Sequence, residues 1–193
     1  MNKQDREIIA FFNAISPLKT TTAEALVSLF KPSEINTGDY FIREGQYAQT
    51  IGFLRSGVIR SYFIDVKGKE YNKQLFRAPC LIGAYSSLLT KKPNQIAQQA
   101  LLPSEVWVAD YVEIEKLYDQ FHDLERLGRK IAEHYFFEKE KKEIEMAVLD
   151  AEDRYRIFRD SFPGLEQQIS LKHIANYLGI SQTQLSRIRK KMR

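Results

Sequence analysis

Apolar residues change their spacing twice along this chain, and each change marks a new kind of element. Through residues 3–30 they recur at three and four. "REIIAFF" places them on one helical face, and "TTAEALVSLF" opens with Thr21 three residues ahead of Glu24, the spacing of a capping box. From Ile35 to about Asp110 the period shortens to two. The runs "YFI", "TIGFLRSGVIRSYFI", "YNKQLF" and "SEVWVAD" are rich in β-branched and aromatic residues, and "NTGD", "REGQ", "RSG" and "VKGK" supply turns. Short alternating strands with tight turns predict a compact antiparallel β-roll or jelly roll.

The helical period returns at residue 111. Gly128 is the only glycine or proline between residues 111 and 149, and "LERLGRKIAEHYFFEKEKKEIEMAVL" is too long a helix for a small roll to bury. Leu127, Ile131, His134 or Tyr135, Ile144 and Val148 fall at three- and four-residue steps, an apolar stripe suited to pairing with a second copy of the chain. A stripe alone does not specify a dimer, and packing on the chain's own roll is the other reading. Asp150 is a candidate N-cap for a following helix, "AEDRYRIFRDSF", which ends at Pro163 and Gly164. The pattern divides the chain into a roll (1–122), a dimerisation helix (123–149) and a small C-terminal domain (150–193), an α+β protein overall.

The last stretch, "SLKHIANYLGISQTQLSRIRKK", carries the sharpest local signal. Ser170 can cap a short helix whose inward residues are Ile174, Ala175 and Leu178, and Gly179 permits a sharp turn. Ser181 caps the next helix, with Gln184 completing a capping box, while Leu185 and Ile188 point back at the first helix. Two short helices crossing steeply through a small residue and a glycine make a helix-turn-helix. The outward face of the second helix holds Gln182, Thr183, Ser186, Arg187 and Lys190. These residue types hydrogen-bond base edges and phosphates, Gln reading adenine and Arg guanine. Ser181, Lys190 and Lys191 suit phosphates, as does the helix N-terminus. The predicted DNA-facing set is Ser170, Lys172, Ser181, Gln182, Thr183, Ser186, Arg187, Lys190 and Lys191.

Charge sharpens that picture. The net charge of the 193-residue chain is only +4, yet from Ser170 onward there are six basic residues (Lys172, Arg187, Arg189, Lys190, Lys191, Arg193) and no acid. The remaining composition, 44% hydrophobic and 28% charged, is that of a globular protein. No apolar run reaches the length of a membrane span, and the N-terminus lacks the features of a signal peptide, so a cytoplasmic location is expected. The single cysteine, Cys80 in "FRAPCLIG", excludes an internal disulfide framework and reads as a small apolar residue. Cupin-like enzymes also use jelly rolls, but their metal sites need converging histidines. None occurs before His122, and His122, His134 and His173 show no ligand spacing. No enzyme activity, metal or cofactor is expected. A ligand-binding or adaptor module whose helix-turn-helix contacts protein is the competing class.

A β-roll, a long helix, a hinge and a helix-turn-helix, in that order, resemble the Crp/Fnr family of bacterial transcription regulators over nearly the whole chain. "GDYFIREGQYAQTIGFLRSGVIRSYF" is similar to the family's cyclic-nucleotide-binding fold signature, with Gly38, Gly45 and Gly57 at its turns, and "VLDAEDR" is similar to the family's hinge. "SQTQLSR" matches the positions that touch DNA, with Arg187 on the base-reading arginine and Gln182 where cyclic AMP-responsive members usually carry another. The resemblance implies a homodimer on double-stranded DNA, a small-molecule effector and contact with RNA polymerase.

One stretch departs from the family pattern. Cyclic AMP-binding members have Gly-Glu at the start of the phosphate cassette and later an Arg before Ser/Thr-Ala. In "LIGAYSSLLTKKPNQIAQQA", Gly83 is kept, Ala84 takes the acid's place, Gln95 or Asn94 the arginine's, and Ile96 and Ala97 follow. A buried phosphate without its cation loses charge-assisted bonds worth about 1.5–3 kcal/mol each. Cyclic AMP is therefore a poor candidate, and Tyr85, Ser86 and Ser87 are left to line either a pocket for another effector or a filled core. The chain ends after the reading helix, where many members add a β-hairpin wing, so some backbone contacts to DNA are expected to be missing.

Overall fold

A computed structural model describes residues 3–192. Two helices come first, α1 (Lys3–Ile15) and α2 (Thr20–Ser28). Eight strands follow: β1 (Lys31–Ile35), β2 (Tyr40–Ile42), β3 (Thr50–Ser56), β4 (Val58–Ile64), β5 (Glu70–Arg77), β6 (Cys80–Ile82), β7 (Ala97–Ala100) and β8 (Ser104–Asp110). A short helix, α3 (Tyr85–Thr90), interrupts them between β6 and β7. Helices α4 (Tyr111–Tyr118), α5 (His122–Val148), α6 (Ala151–Ser161), α7 (Leu171–Leu178) and α8 (Gln182–Lys191) complete the chain.

The strands form two antiparallel four-stranded sheets, ordered β1-β8-β3-β6 and β2-β7-β4-β5, facing each other as a roll. Side-chain alternation sets what each face meets. Ile35, Leu54, Ile59, Ile82, Ala100 and Val106 fill the interior between the sheets. The outer face of the first sheet presents Phe53, Leu81, Trp107 and Ala109 to α1, α2, α4 and the first turns of α5. The outer face of the second presents Val58 and Leu75, which join Tyr155, Phe158, Ile174, Leu178 and Leu185 of the C-terminal helices in one buried cluster. Gly57 makes the β3–β4 turn at φ +96°, where a Cβ would lie 2.6 Å from the Pro103 carbonyl oxygen.

All four expected strand runs are strands. β1, β6 and β7 were not expected. β1 ("KPSEI") is an edge strand with four exposed residues and a proline, and β7 ("AQQA") has no apolar alternation to betray it. The capping box at Thr21 does not form. α2 begins at Thr20 with Lys19 at the N-cap, two residues earlier, and the Asp123 carboxylate of α5 accepts from the Lys19 N–H (2.7 Å) and the Thr22 hydroxyl (2.9 Å), so a distant side chain takes the local cap's place. Burial and the hydrogen bonds from Lys19 and Thr22 act on Asp123 in opposite directions, and the bonds win, holding its pKa below the ordinary value.

The single stripe expected on α5 is two faces. Leu124, Leu127 and Ile131 pack on the roll side, and Tyr135 donates its hydroxyl to the Leu81 carbonyl at 2.9 Å. Further along the same side, Lys142 sits 3.9 Å above the Tyr177 ring. Phe136, Phe137, Ile144 and Val148 point away and are 57–74% exposed. Phe137, Lys141, Ile144 and Val148 fall at alternating four- and three-residue steps, the a/d spacing of a helix-pairing seam. The split arises because a 27-residue helix outruns the roll it lies against.

Candidate nucleic-acid interface

The hinge between α5 and α6 is two extended residues, Leu149 and Asp150. Asp150 caps α6 as expected, its Oδ1 accepting from the Glu152 and Asp153 N–H groups at 2.9 Å. Those backbone bonds hold the Asp150 carboxyl below its ordinary pKa. Arg154, one turn into α6, donates back to the Leu149 carbonyl at 2.8 Å and so closes the C-terminal end of α5. The two helix ends are thus stapled by one acid and one base four residues apart.

Beyond α6, Gly164 (φ +76°) turns the chain into α7 and α8. Ile174, Ala175 and Leu178 of α7 and Leu185 and Ile188 of α8 are all at most 5% exposed, the inward set expected. Gly179 adopts the left-handed conformation (φ +70°), and the Ile180 N–H returns to the Ala175 carbonyl. Ser181 caps α8 through the Gln184 N–H at 3.1 Å. Ser170 stands at the N-cap of α7 without a side-chain cap bond. The two helices cross as a helix-turn-helix, with α8 displaying its polar side outward.

The expected contact residues fall into two groups. Ser170, Ser181, Gln182, Thr183, Ser186, Arg187 and Lys190 are exposed, and among the described residues no ion pair engages Arg187 or Lys190. Lys172 and Lys191 are also exposed but engaged. Lys172 Nζ lies 3.1 Å from Glu70 on β5, and Lys191 lies 2.7 Å from Glu152 on α6. Arg193 lies outside the described residues.

The expected effector region is mostly braced by its own bonds. The Ser87 hydroxyl is buried, donates to the Lys92 carbonyl at 2.6 Å and accepts from the Ala48 N–H at 3.1 Å. Tyr85 is exposed and meets Tyr111 edge to face at 5.9 Å, and Ser86 is exposed on the same helix. Gly83 and Ala84 are half-buried, Ala97 is buried and Ile96 is half-buried. Asn94 points inward, bonding the Arg43 and Ile96 carbonyls, whereas Gln95 points out. Gln98, not expected from the sequence, is buried and donates to the Gly83 carbonyl at 3.0 Å, while its Oε1 has no partner. Burial pushes the Cys80 thiol up to about 12, which keeps it unreactive.

A buried arginine does exist in the roll, on the wrong side for a ligand between the sheets. Arg60 of β4 is 4% exposed and points outward, toward α7. Its guanidinium donates to Gln99 Oε1 (3.0 and 2.8 Å), Glu70 (2.6 Å) and Asn72 Oδ1 (3.2 Å), and lies 3.7 Å over the Tyr62 ring. Asn72 in turn donates to the His173 carbonyl of α7 at 2.8 Å, and Arg77 donates to the Pro163 carbonyl at 2.7 Å. Burial alone would raise Glu70, but hydrogen bonds from Arg60 and Lys172 outweigh it and hold the carboxyl below its ordinary value. This junction between roll and C-terminal helices was missed. The signal available was an arginine inside the apolar run "GVIRSYF", a position that requires partners.

Residues 32–121 match the family described as "Cyclic nucleotide-binding domain". No curated protein matches the chain in sequence. Among solved structures, the c-di-GMP responsive global regulator CLP of Xanthomonas campestris superposes with a TM-score of 0.71 at 16% identity, over 90% of this chain and 91% of CLP. FixK2 of Bradyrhizobium japonicum gives 0.74 at 15% identity, over 84% of each chain. A protein of Eubacterium rectale assigned to the Crp/Fnr family of transcriptional regulators gives 0.71 at 13% identity, over 90% of this chain and 83% of that one. Residues 32–121 are thus similar to the cyclic nucleotide-binding domain family, and the chain as a whole has the fold of the Crp/Fnr transcriptional regulators.

Proposed function

We propose that this protein is a dimeric, sequence-specific DNA-binding transcription regulator of Crp/Fnr type that does not respond to cyclic AMP. Its working parts are the roll (1–122), the pairing helix (123–149) and the DNA-binding segment (150–193). The observation that carries the reading is the outward face of α8. Gln182, Thr183, Ser186, Arg187 and Lys190 are all exposed on a helix whose other side is locked by Leu185 and Ile188 and whose start is capped by Ser181.

In this reading Arg187 and Gln182 read base edges in the major groove. Ser181, Thr183, Ser186 and Lys190 position the helix on the backbone, and Ser170, Lys172 and Lys191 add phosphate contacts at the rim. Lys172 and Lys191 exchange a carboxylate for a phosphate when they do so. Phe137, Ile144 and Val148 form the seam of a two-fold dimer, which places two reading helices on half-sites about one DNA turn, ~34 Å, apart. Arg60 is the only buried Lys or Arg among the described residues and its guanidinium is turned toward α7, so a cyclic phosphate between the sheets would lack a buried charge partner. Any effector of the roll is then of another chemistry, and the regulator acts in the cytoplasm by recruiting or blocking RNA polymerase.

Titration of duplex DNA against the wild type and two variants tests this reading. Lys190→Ala should weaken all sequences alike and lower the salt slope by about one unit. Arg187→Ala should cost about 1–3 kcal/mol on the preferred site and relax the sequence preference. Unaltered affinity and salt slope in both variants would refute it.

A further inference from the structure

His173 belongs to the first helix of the helix-turn-helix, yet it faces the roll. Its carbonyl accepts from Asn72, a side chain with no solvent exposure, and its ring Nδ1 lies 3.3 Å from Arg60 Nη1. A guanidinium has only donors, so Nδ1 must accept, and the ring proton sits on Nε2 with the imidazole neutral. Arg60 cannot withdraw from a second proton. Gln99 holds it from β7, Glu70 and Asn72 from β5, and the Tyr62 ring lies beneath it.

We propose that this contact is a proton-released latch. Neutral His173 closes the C-terminal helices onto β4 and β5, and protonation of its Nδ1 opens the junction by setting a cation and an N–H donor against the fixed Arg60.

The charged groups acting on the ring are Arg60 from β4, Glu70 from β5 and Lys172 from its own helix. Glu70 favours the protonated ring, but it already serves Arg60 and Lys172 and cannot compensate. Burial first and then the two cations push His173 down to about 4 from an ordinary 6.5. Protons are therefore taken up more readily when the junction is open, so the closed state is favoured above pH 6.5 and loses ground as pH falls through that window toward 4. At pH 5.5 the full displacement shifts the opening equilibrium about tenfold, and about threefold after allowance for the solvent reaching the half-buried ring. The apolar contacts of Val58 and Leu75 remain, so the opening is partial and reversible.

The latch is tested by amide hydrogen exchange on the full chain without DNA, which makes the outcome independent of the DNA-binding reading. Exchange in β4, β5 and α7 is compared at pH 7.5 and 5.5 after correction for intrinsic rates. The wild type should show a threefold or greater rise in opening confined to these elements. His173→Gln, which keeps an acceptor for Arg60 but cannot be protonated, should show no rise. Equal protection of the wild type at both pH values would overturn the latch, whether or not the variant folds. So would a His173→Gln protein that keeps the wild-type response.

Discussion

Replacing Arg60 with Met removes the charge at the centre of the junction while keeping most of the side-chain volume. One buried acceptor, Asn72 Oδ1, and one half-buried acceptor, Gln99 Oε1, then lose their donor, and Glu70 loses its closest cation at 2.6 Å. Breaking a buried ion pair from one side costs about 3–5 kcal/mol. Here Glu70 is 22% exposed and keeps Lys172, so the expected loss is lower, about 2–3 kcal/mol. Removing the acid as well, in Arg60→Met/Glu70→Gln, leaves no uncompensated charge and should return about 1–2 kcal/mol relative to additivity. Urea unfolding reads both numbers with two probes. Fluorescence of Trp107, the only tryptophan, follows the roll, and far-UV circular dichroism follows the helices. In Arg60→Met the helical signal should be lost at lower urea than the fluorescence, because the C-terminal helices lose their anchor. A cost under about 0.5 kcal/mol, or strictly additive single and double variants, would refute the assignment of Arg60 as the buried hub.

Three further outcomes follow from the same structure. Ile144→Glu should convert a dimer to a monomer in sedimentation while leaving circular dichroism unchanged, since Ile144 is 57% exposed and contributes nothing to the chain's own core. A dimer persisting in that variant would contradict the seam. Leu185→Ala should destabilise the C-terminal helices by about 2.5–5 kcal/mol, because the side chain is wholly buried against α7, and an unchanged urea midpoint would contradict that packing. Stability should also fall in two stages on acidification. It declines first between pH 6.5 and about 4, where the unfolded chain protonates His173 and the folded chain resists. It declines again below the ordinary carboxylate range, where the lowered Glu70 and Asp123 are finally neutralised. Urea midpoints at pH 7.5, 5.5 and 3.5 check the sign, and stability that rises on acidification would contradict it.

Local rules made most of the architecture legible. Period-two runs bounded by glycine turns announced the strong strands, and Gly179, Ser181 and Asp150 announced the turn and caps, since each acts within a few residues of itself. What stayed hidden depends on contacts distant in sequence. β1 and β7 are strands because a neighbour pairs with them, not because of their own pattern. Asp123 caps a helix 104 positions away, and Lys172, an expected DNA contact, is paired in the free chain with Glu70, 102 positions away. The α5 stripe merged two faces because spacing alone does not say where the roll ends. Arg60 and His173 lie 113 residues apart, and nothing in either local stretch names the other.

The most direct test of the DNA-binding reading is selection of bound sequences from a random duplex library by the purified, folded protein. The wild type should enrich an inverted repeat with half-sites one helical turn apart, and the enrichment should be lost in Arg187→Ala. A folded, dimeric protein that enriches no sequence at either low or physiological salt would contradict it.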